Sequence, residues 1–212
     1  MARLGRLRLP QVWLERHDRL VNKVLYPVIV LLFAALVPQL SAVVGSPLIF
    51  TGFSLYDSQP DLGFTLVLVG GFLPIFLLIW LWLRLVERRP LWTTGMTRPV
   101  LRPYLRGLLI GLLLFTTVVA VLGLARVLAV EEPPATQGFW PALAGALLIM
   151  LGWMIQGAAE ELLARGFVLP ILGVRWGTWP AVIVSSLFFS LLHLANPNIS
   201  AISVLNLFLF GL

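Results

Sequence analysis

Five stretches of the chain contain no Asp, Glu, Lys or Arg, and they constrain the fold more than any other feature. They lie between Lys23 and Asp57, Asp61 and Arg84, Arg106 and Arg126, Glu132 and Glu160, and from Arg175 to Leu212. A helix needs about 20 apolar residues to cross the hydrocarbon of a bilayer. Every stretch is long enough for at least one crossing. In lipid the backbone must satisfy its own hydrogen bonds, so an apolar run of this length is helical. Only 11% of the residues are charged and 59% are apolar, with 13 Phe and 8 Trp among them. A soluble domain of this size keeps roughly 25% charged. A soluble globular, disordered or fibrous chain is excluded, and the expected class is an all-α polytopic transmembrane helix bundle.

The spans are expected at about 24–50, 62–83, 106–128, 139–169 and 179–194, with a partial one over 200–212. Pro38 predicts a bend in the first, and Pro170 is expected to stop the fourth. Residues 1–23 form a basic segment, cytoplasmic or lying on the membrane, ahead of a single membrane domain over 24–212. The flanks alternate. Residues 1–23, 84–106 and 170–178 carry an excess of Arg and Lys, whereas 51–61 and 129–138 carry only acidic residues. This pattern predicts a multi-pass protein with a cytoplasmic N-terminus, most simply in a bacterial plasma membrane. The formal net charge of +6 is therefore a topology signal and not a nucleic-acid footprint. With no cysteine, disulfides and thiolate chemistry are excluded.

Glu160, Glu161 and Arg165 break the apolar pattern of the fourth span. Ionisable groups at membrane depth are costly and need a reason. Glu161 and Arg165 are four apart and share a helix face, so they are expected to pair. Glu160 points about 100° away. It has no evident partner in its own helix and is expected to face a cavity. In the fifth span Phe189 and His193 are also four apart, with Asn196 just beyond. A carboxylate can take a proton from water, and an imidazole can orient that water or stabilise the oxyanion. Straight helices leave about 7 Å between the depths of Glu160 and His193, which tilt or a kink must absorb. No His-Glu-x-x-His motif suggests zinc. Ser185, Ser186 and Ser190 lack the Gly-x-Ser-x-Gly elbow of a nucleophile.

The runs Glu160-Glu161-x-x-x-Arg165-Gly166-Phe167 and Phe189-x-x-x-His193-Leu194-Ala195-Asn196-Pro197 resemble the first two motifs of the CPBP family. Its members are CAAX-processing and bacteriocin-processing intramembrane proteases. The resemblance implies a glutamate-dependent endopeptidase with a CAAX-protease-like fold and no cofactor or metal. It implies Glu160 as the base that activates water, and His193 as the group that binds or polarises it. Glu161, Arg165, Phe189 and Asn196 would support the site. The substrate would be a peptide or a membrane-anchored protein, with the lipid bilayer as the other partner. The family's further His-x-x-x-Asn motif has no counterpart before Leu212, so little activity is expected of these 212 residues alone. Two other readings compete: a non-catalytic immunity or assembly protein of the same fold, and a small transporter using Glu160 and His193 as a relay.

Overall fold

The computed structural model describes residues 21–96, 101–128 and 138–212. The basic segment 1–20 and the acidic loop with Glu131 and Glu132 lie outside the described residues. All regular structure among the described residues is helical. Five helices are long and apolar enough to cross a bilayer: Val21–Val44, Pro60–Glu87, Leu101–Leu124, Phe139–Trp176 and Thr178–Ala195. The protein is an all-α, multi-pass membrane protein.

The expected first span is divided. A π-helical turn at Val21–Leu25 leads into α1 (Tyr26–Val44), and α2 (Ser46–Leu55) starts directly after Gly45. Pro47, in the first turn of α2, lacks the N–H that would continue α1, and the break lies against the neighbouring helix, α3 (Pro60–Trp82). A Cβ at Gly45 would fall 1.7 Å from the Gly70 carbonyl oxygen, so the two backbones touch and only glycine fits. Small residues allow this approach between membrane helices. The Ser41 hydroxyl adds a bond to the Gly71 carbonyl across the same contact. A π turn, Leu83–Glu87, extends α3. Arg88 closes it in the left-handed region, at φ 52°. A short 3-10 turn, Leu91–Thr94, follows.

Helix α4 (Leu101–Leu124) contains no buried residue. Helix α5 (Phe139–Glu161) runs without a break into a π-helical segment, Leu162–Val168, and then into α6 (Leu169–Trp176). The expected stop at Pro170 does not occur. Proline lacks an N–H and clashes with the carbonyl four residues back inside a regular α-helix. Here it follows a π segment and occupies the first turn of α6, where a missing N–H costs little. The continuous stretch Phe139–Trp176 has 38 residues. At 1.5 Å per residue that is about 57 Å, well beyond a bilayer core of about 30 Å.

Gly177, at φ 86°, turns the chain into α7 (Thr178–Leu192). A 3-10 turn, His193–Ala195, ends it. Helix α8 (Ala201–Gly211) is capped by Ser200, whose hydroxyl accepts from the Ser203 N–H at 3.1 Å. Helix α3 is the central element and packs on α1, α2 and α5. Helix α7 packs on α6 and α8. The core gathers Val30, Ala34 and Val37 of α1, Ile75 and Ile79 of α3, and Leu163, Phe167 and Leu172 beyond α5. Phe33 stacks on Trp82 with centroids 4.0 Å apart, and Phe167 meets both rings edge-on at 5.9 and 6.2 Å.

Candidate active site

The π segment carries Arg165, Gly166 and Phe167 of the first motif and lies largely in the core. Six of its seven residues are buried, Arg165 being the exception. Such segments leave backbone groups in need of partners and often mark functional positions. The Ala164 carbonyl accepts both the Leu169 N–H and, at 3.2 Å, the Ser185 hydroxyl of α7. This bond, and the approach of Gly173 to Ala181 at 3.9 Å for a Cβ on Gly173, show that α7 returns antiparallel beside the π segment and α6. Gly166 sits against the loop after α3. A Cβ there would lie 2.8 Å from the Thr94 carbonyl oxygen, so the motif's glycine is required by a close approach.

Arg165 joins the two motifs. Its Nη1 lies 2.9 Å from Glu161 Oε1. Its guanidinium carbon lies 4.6 Å above the centre of the Phe189 ring. A cation over an aromatic face contributes about 0.5–2 kcal/mol, more as water is excluded. The contact with Glu161 is one of charge and not of a directed hydrogen bond, because the buried Nη1 has no hydrogen-bond partner among the described residues. The buried Phe189 ring in turn packs on His193, centroids 4.7 Å apart. His193 Nδ1 lies 2.8 Å from the Phe189 carbonyl oxygen. A carbonyl can only accept, so Nδ1 carries the proton and donates it. In the neutral ring Nε2 then holds the free lone pair.

Glu160 is half-buried, and its Oε1 accepts from Gln156 Nε2 at 3.0 Å. It therefore does have a partner in its own helix, one turn back, which the reading of the sequence passed over. The i,i+4 spacing to a residue with an amide was the available signal. Glu160 and His193 are not hydrogen-bonded to each other. Asn196 is exposed after the turn that ends α7, and its N–H donates to the His193 carbonyl at 3.0 Å.

A cavity of about 780 Å³ lies beside the motif, bounded by α4, α5, the 3-10 turn at Leu91–Thr94 and the π segment. Its wall on α5 and beyond is the stripe Met150, Met154, Ala158, Glu161 and Arg165, spaced three or four residues apart as one helix face requires. The carboxylate lining this cavity is Glu161, not Glu160 as expected. Glu160 follows the neighbouring stripe with Gln156. Ser185, Ser186 and Ser190 are buried, and each hydroxyl bonds a backbone carbonyl. No group of three His, Asp or Glu side chains comes together among the described residues.

The Glu-Glu-x-x-x-Arg and Phe-x-x-x-His motifs, linked through Arg165 in a multi-pass helical membrane protein, are the features that resemble the CAAX-processing proteases. Residues 136–212 match the family model described as type II CAAX prenyl endopeptidase Rce1-like. The match contains both motifs and all six candidate site residues. It supports the resemblance to the CPBP family over this C-terminal part of the chain. No curated protein and no solved structure matches the chain.

Proposed function

We propose that the chain is an intramembrane endopeptidase in which Glu160 activates water and His193 orients it. The observation that carries this reading is the Glu161–Arg165–Phe189–His193 chain of contacts, which couples two helices at one level of the membrane. The depths also support it. Counting from the Ala164–Ser185 contact, Glu160 is four residues away, or about 6 Å. His193 is eight residues away, about 12 Å, but its ring folds back one turn to the Phe189 carbonyl. Its ring thus reaches a depth of about 6 Å as well. The mismatch of straight helices disappears through side-chain direction, without a kink.

The two glutamates differ in their partners. Glu161 faces the Arg165 cation. Glu160 has one neutral amide on Oε1 and leaves Oε2 without a partner among the described residues, so Oε2 is free to take a proton. In the proposed step Glu160 removes a proton from water while the water oxygen attacks the peptide carbonyl carbon. The resulting tetrahedral intermediate collapses, the C–N bond breaks, and protonated Glu160 returns its proton to the leaving nitrogen. His193 Nε2, with its lone pair, accepts the second O–H of the water and fixes its approach. Donation to the oxyanion would need a second proton on the ring, so the tautomer that the Phe189 bond requires favours orientation over oxyanion stabilisation. The apolar cavity beside Glu161 suits a membrane-anchored substrate, and the basic flanks favour access from the cytoplasm.

The test is turnover of a fluorogenic lipidated peptide by the protein, with any natural C-terminal extension, in liposomes containing a chelator. Glu160→Gln should lower turnover by about 10²-fold or more, and His193→Ala by a comparable factor. Arg165→Ala should instead lower the folded yield, because it removes the link to Phe189 and leaves Glu161 without its cation at membrane depth. Wild-type turnover in Glu160→Gln, or activity restored only by zinc, would reject the mechanism.

A further inference from the structure

A second charged cluster lies away from these motifs, where the start of α1, the end of α3 and the end of α6 meet. Glu87 and Arg89 are paired there, with side chains only 10% and 9% exposed. Both carboxylate oxygens of Glu87 are taken: Oε1 by the Trp82 indole N–H at 3.1 Å, and Oε2 by Arg89 Nε. Arg89 Nη1 donates to the Thr93 hydroxyl at 2.7 Å. Arg89 Nη2 is buried and has no partner among the described residues.

Arg175 enters the same cluster from α6, within electrostatic reach of Glu87 and Arg89. It lies over the Tyr26 ring, 4.4 Å from its centre, and Nη1 donates to the Ile171 carbonyl at 3.0 Å. No salt bridge pairs it with Glu87 among the described residues, and its buried Nε has no partner there either. Among the described residues the cluster therefore holds two guanidinium groups against one carboxylate, and two buried N–H donors are unanswered there.

An uncompensated buried cation is costly, and an orphaned donor adds its own desolvation cost. A resident anion removes both costs. Guanidinium groups suit tetrahedral oxyanions because their donors are rigid and spread. The cluster sits at the basic end of the bundle, where Lys23, Arg84 and Arg88 are exposed around it. Lipid phosphates lie at this level of a bilayer, and basic pockets between helix ends bind them. Trp176, whose indole N–H donates to the Lys23 carbonyl, clamps α6 to the start of α1 at the same place.

We propose that Arg89 and Arg175 form a binding site for an anionic phosphate group, free or on a lipid headgroup. This site shares no residue with the proposed peptidase site, and its occupant ties α1, α3 and α6 together at the membrane surface.

The experiment is thermal unfolding of the full protein in a neutral detergent, followed by tryptophan fluorescence. Phosphatidylglycerol, phosphatidylcholine and inorganic phosphate are titrated separately. Phosphatidylglycerol should raise the midpoint and change the emission of Trp82 and Trp176, while phosphatidylcholine at equal concentration should not. If inorganic phosphate reproduces the shift, the site stands and takes the free anion. If only the lipid does, the site stands and takes a headgroup. Arg175→Gln leaves the Glu87–Arg89–Trp82 contacts whole, so it should fold. It should weaken the response on the order of tenfold. Equal responses from wild type and Arg175→Gln, equal responses to the two lipids, or no response to any anion would overturn the proposal. So would an anion response that is absent from the wild type and appears only in a Glu15→Gln, Asp18→Asn double variant, which would make the chain's own N-terminal carboxylates the partners.

Discussion

Helix α4 and the π segment after α5 are both apolar pieces of membrane-spanning helix, yet they are opposites in packing. None of the 24 residues of α4 is buried, whereas six of seven in Leu162–Val168 are. Hydropathy scores both as membrane. The difference is that lipid solvates apolar side chains as well as protein does, so no hydrophobic force pulls α4 inward. Helices that do pack must find close backbone approach, shape fit or hydrogen bonds. The π segment has all three: Gly166 against Thr94, Phe167 between Phe33 and Trp82, and Ala164 held by Ser185. The conspicuous charged motif lies at the start of the segment that is best packed. That arrangement holds a site's side chains in one geometry.

The largest test of this contrast compares one change in two places. Phe167 is fully buried, and Phe115 of α4 is 69% exposed. Phe167→Ala should cost about 3–5 kcal/mol of unfolding free energy, as truncated core aromatics do. Phe115→Ala should stay within about 0.5 kcal/mol. Unfolding in mixed micelles with rising denaturing detergent measures both. Similar losses would mean that α4 is packed in the bilayer, against protein that the described residues do not include.

The second test uses glycines. A Cβ at Gly166 meets backbone at 2.8 Å, while one at Gly111 meets nothing within 4 Å. Gly166→Ala should destabilise by about 1–3 kcal/mol through overpacking. Gly111→Ala should be neutral or slightly stabilising, by up to about 1 kcal/mol from helix propensity. The same unfolding curves separate them, and a tolerated Gly166→Ala would show that the Thr94 loop yields.

The smallest effect belongs to Ser185→Ala, which removes one hydroxyl from a carbonyl already bonded to Leu169. We expect a loss of about 1 kcal/mol. A more telling readout is hydrogen exchange at the Leu169 amide, which should quicken if Ser185 steadies the π segment. Unchanged exchange there would assign Ser185 to packing alone.

Much of this molecule is local, and what is local could be read in the chain. The crossings follow from charge-free runs, because each segment in lipid must bond its own backbone. The Glu161–Arg165 pair follows from a four-residue spacing on one helix, and so does the approach of His193 to Phe189. Other features depended on which helices became neighbours. Gly45 and Pro47 are a local signal for the break after α1, but nothing local reveals that the break lies against the Gly70 carbonyl of another helix. The helix through Pro170 persists because a π segment precedes it. Glu161 rather than Glu160 faces the cavity because of how the whole of α5 is rotated against α4 and the Thr94 turn. Arg165 over Phe189, and Arg175 within electrostatic reach of Glu87 and Arg89, join residues 24 and more than 80 positions apart. Periodicity determines which residues share a face of one helix. Only packing between helices decides which faces meet, and in a bilayer that choice rests on steric fit and polar contacts, to which hydropathy is blind.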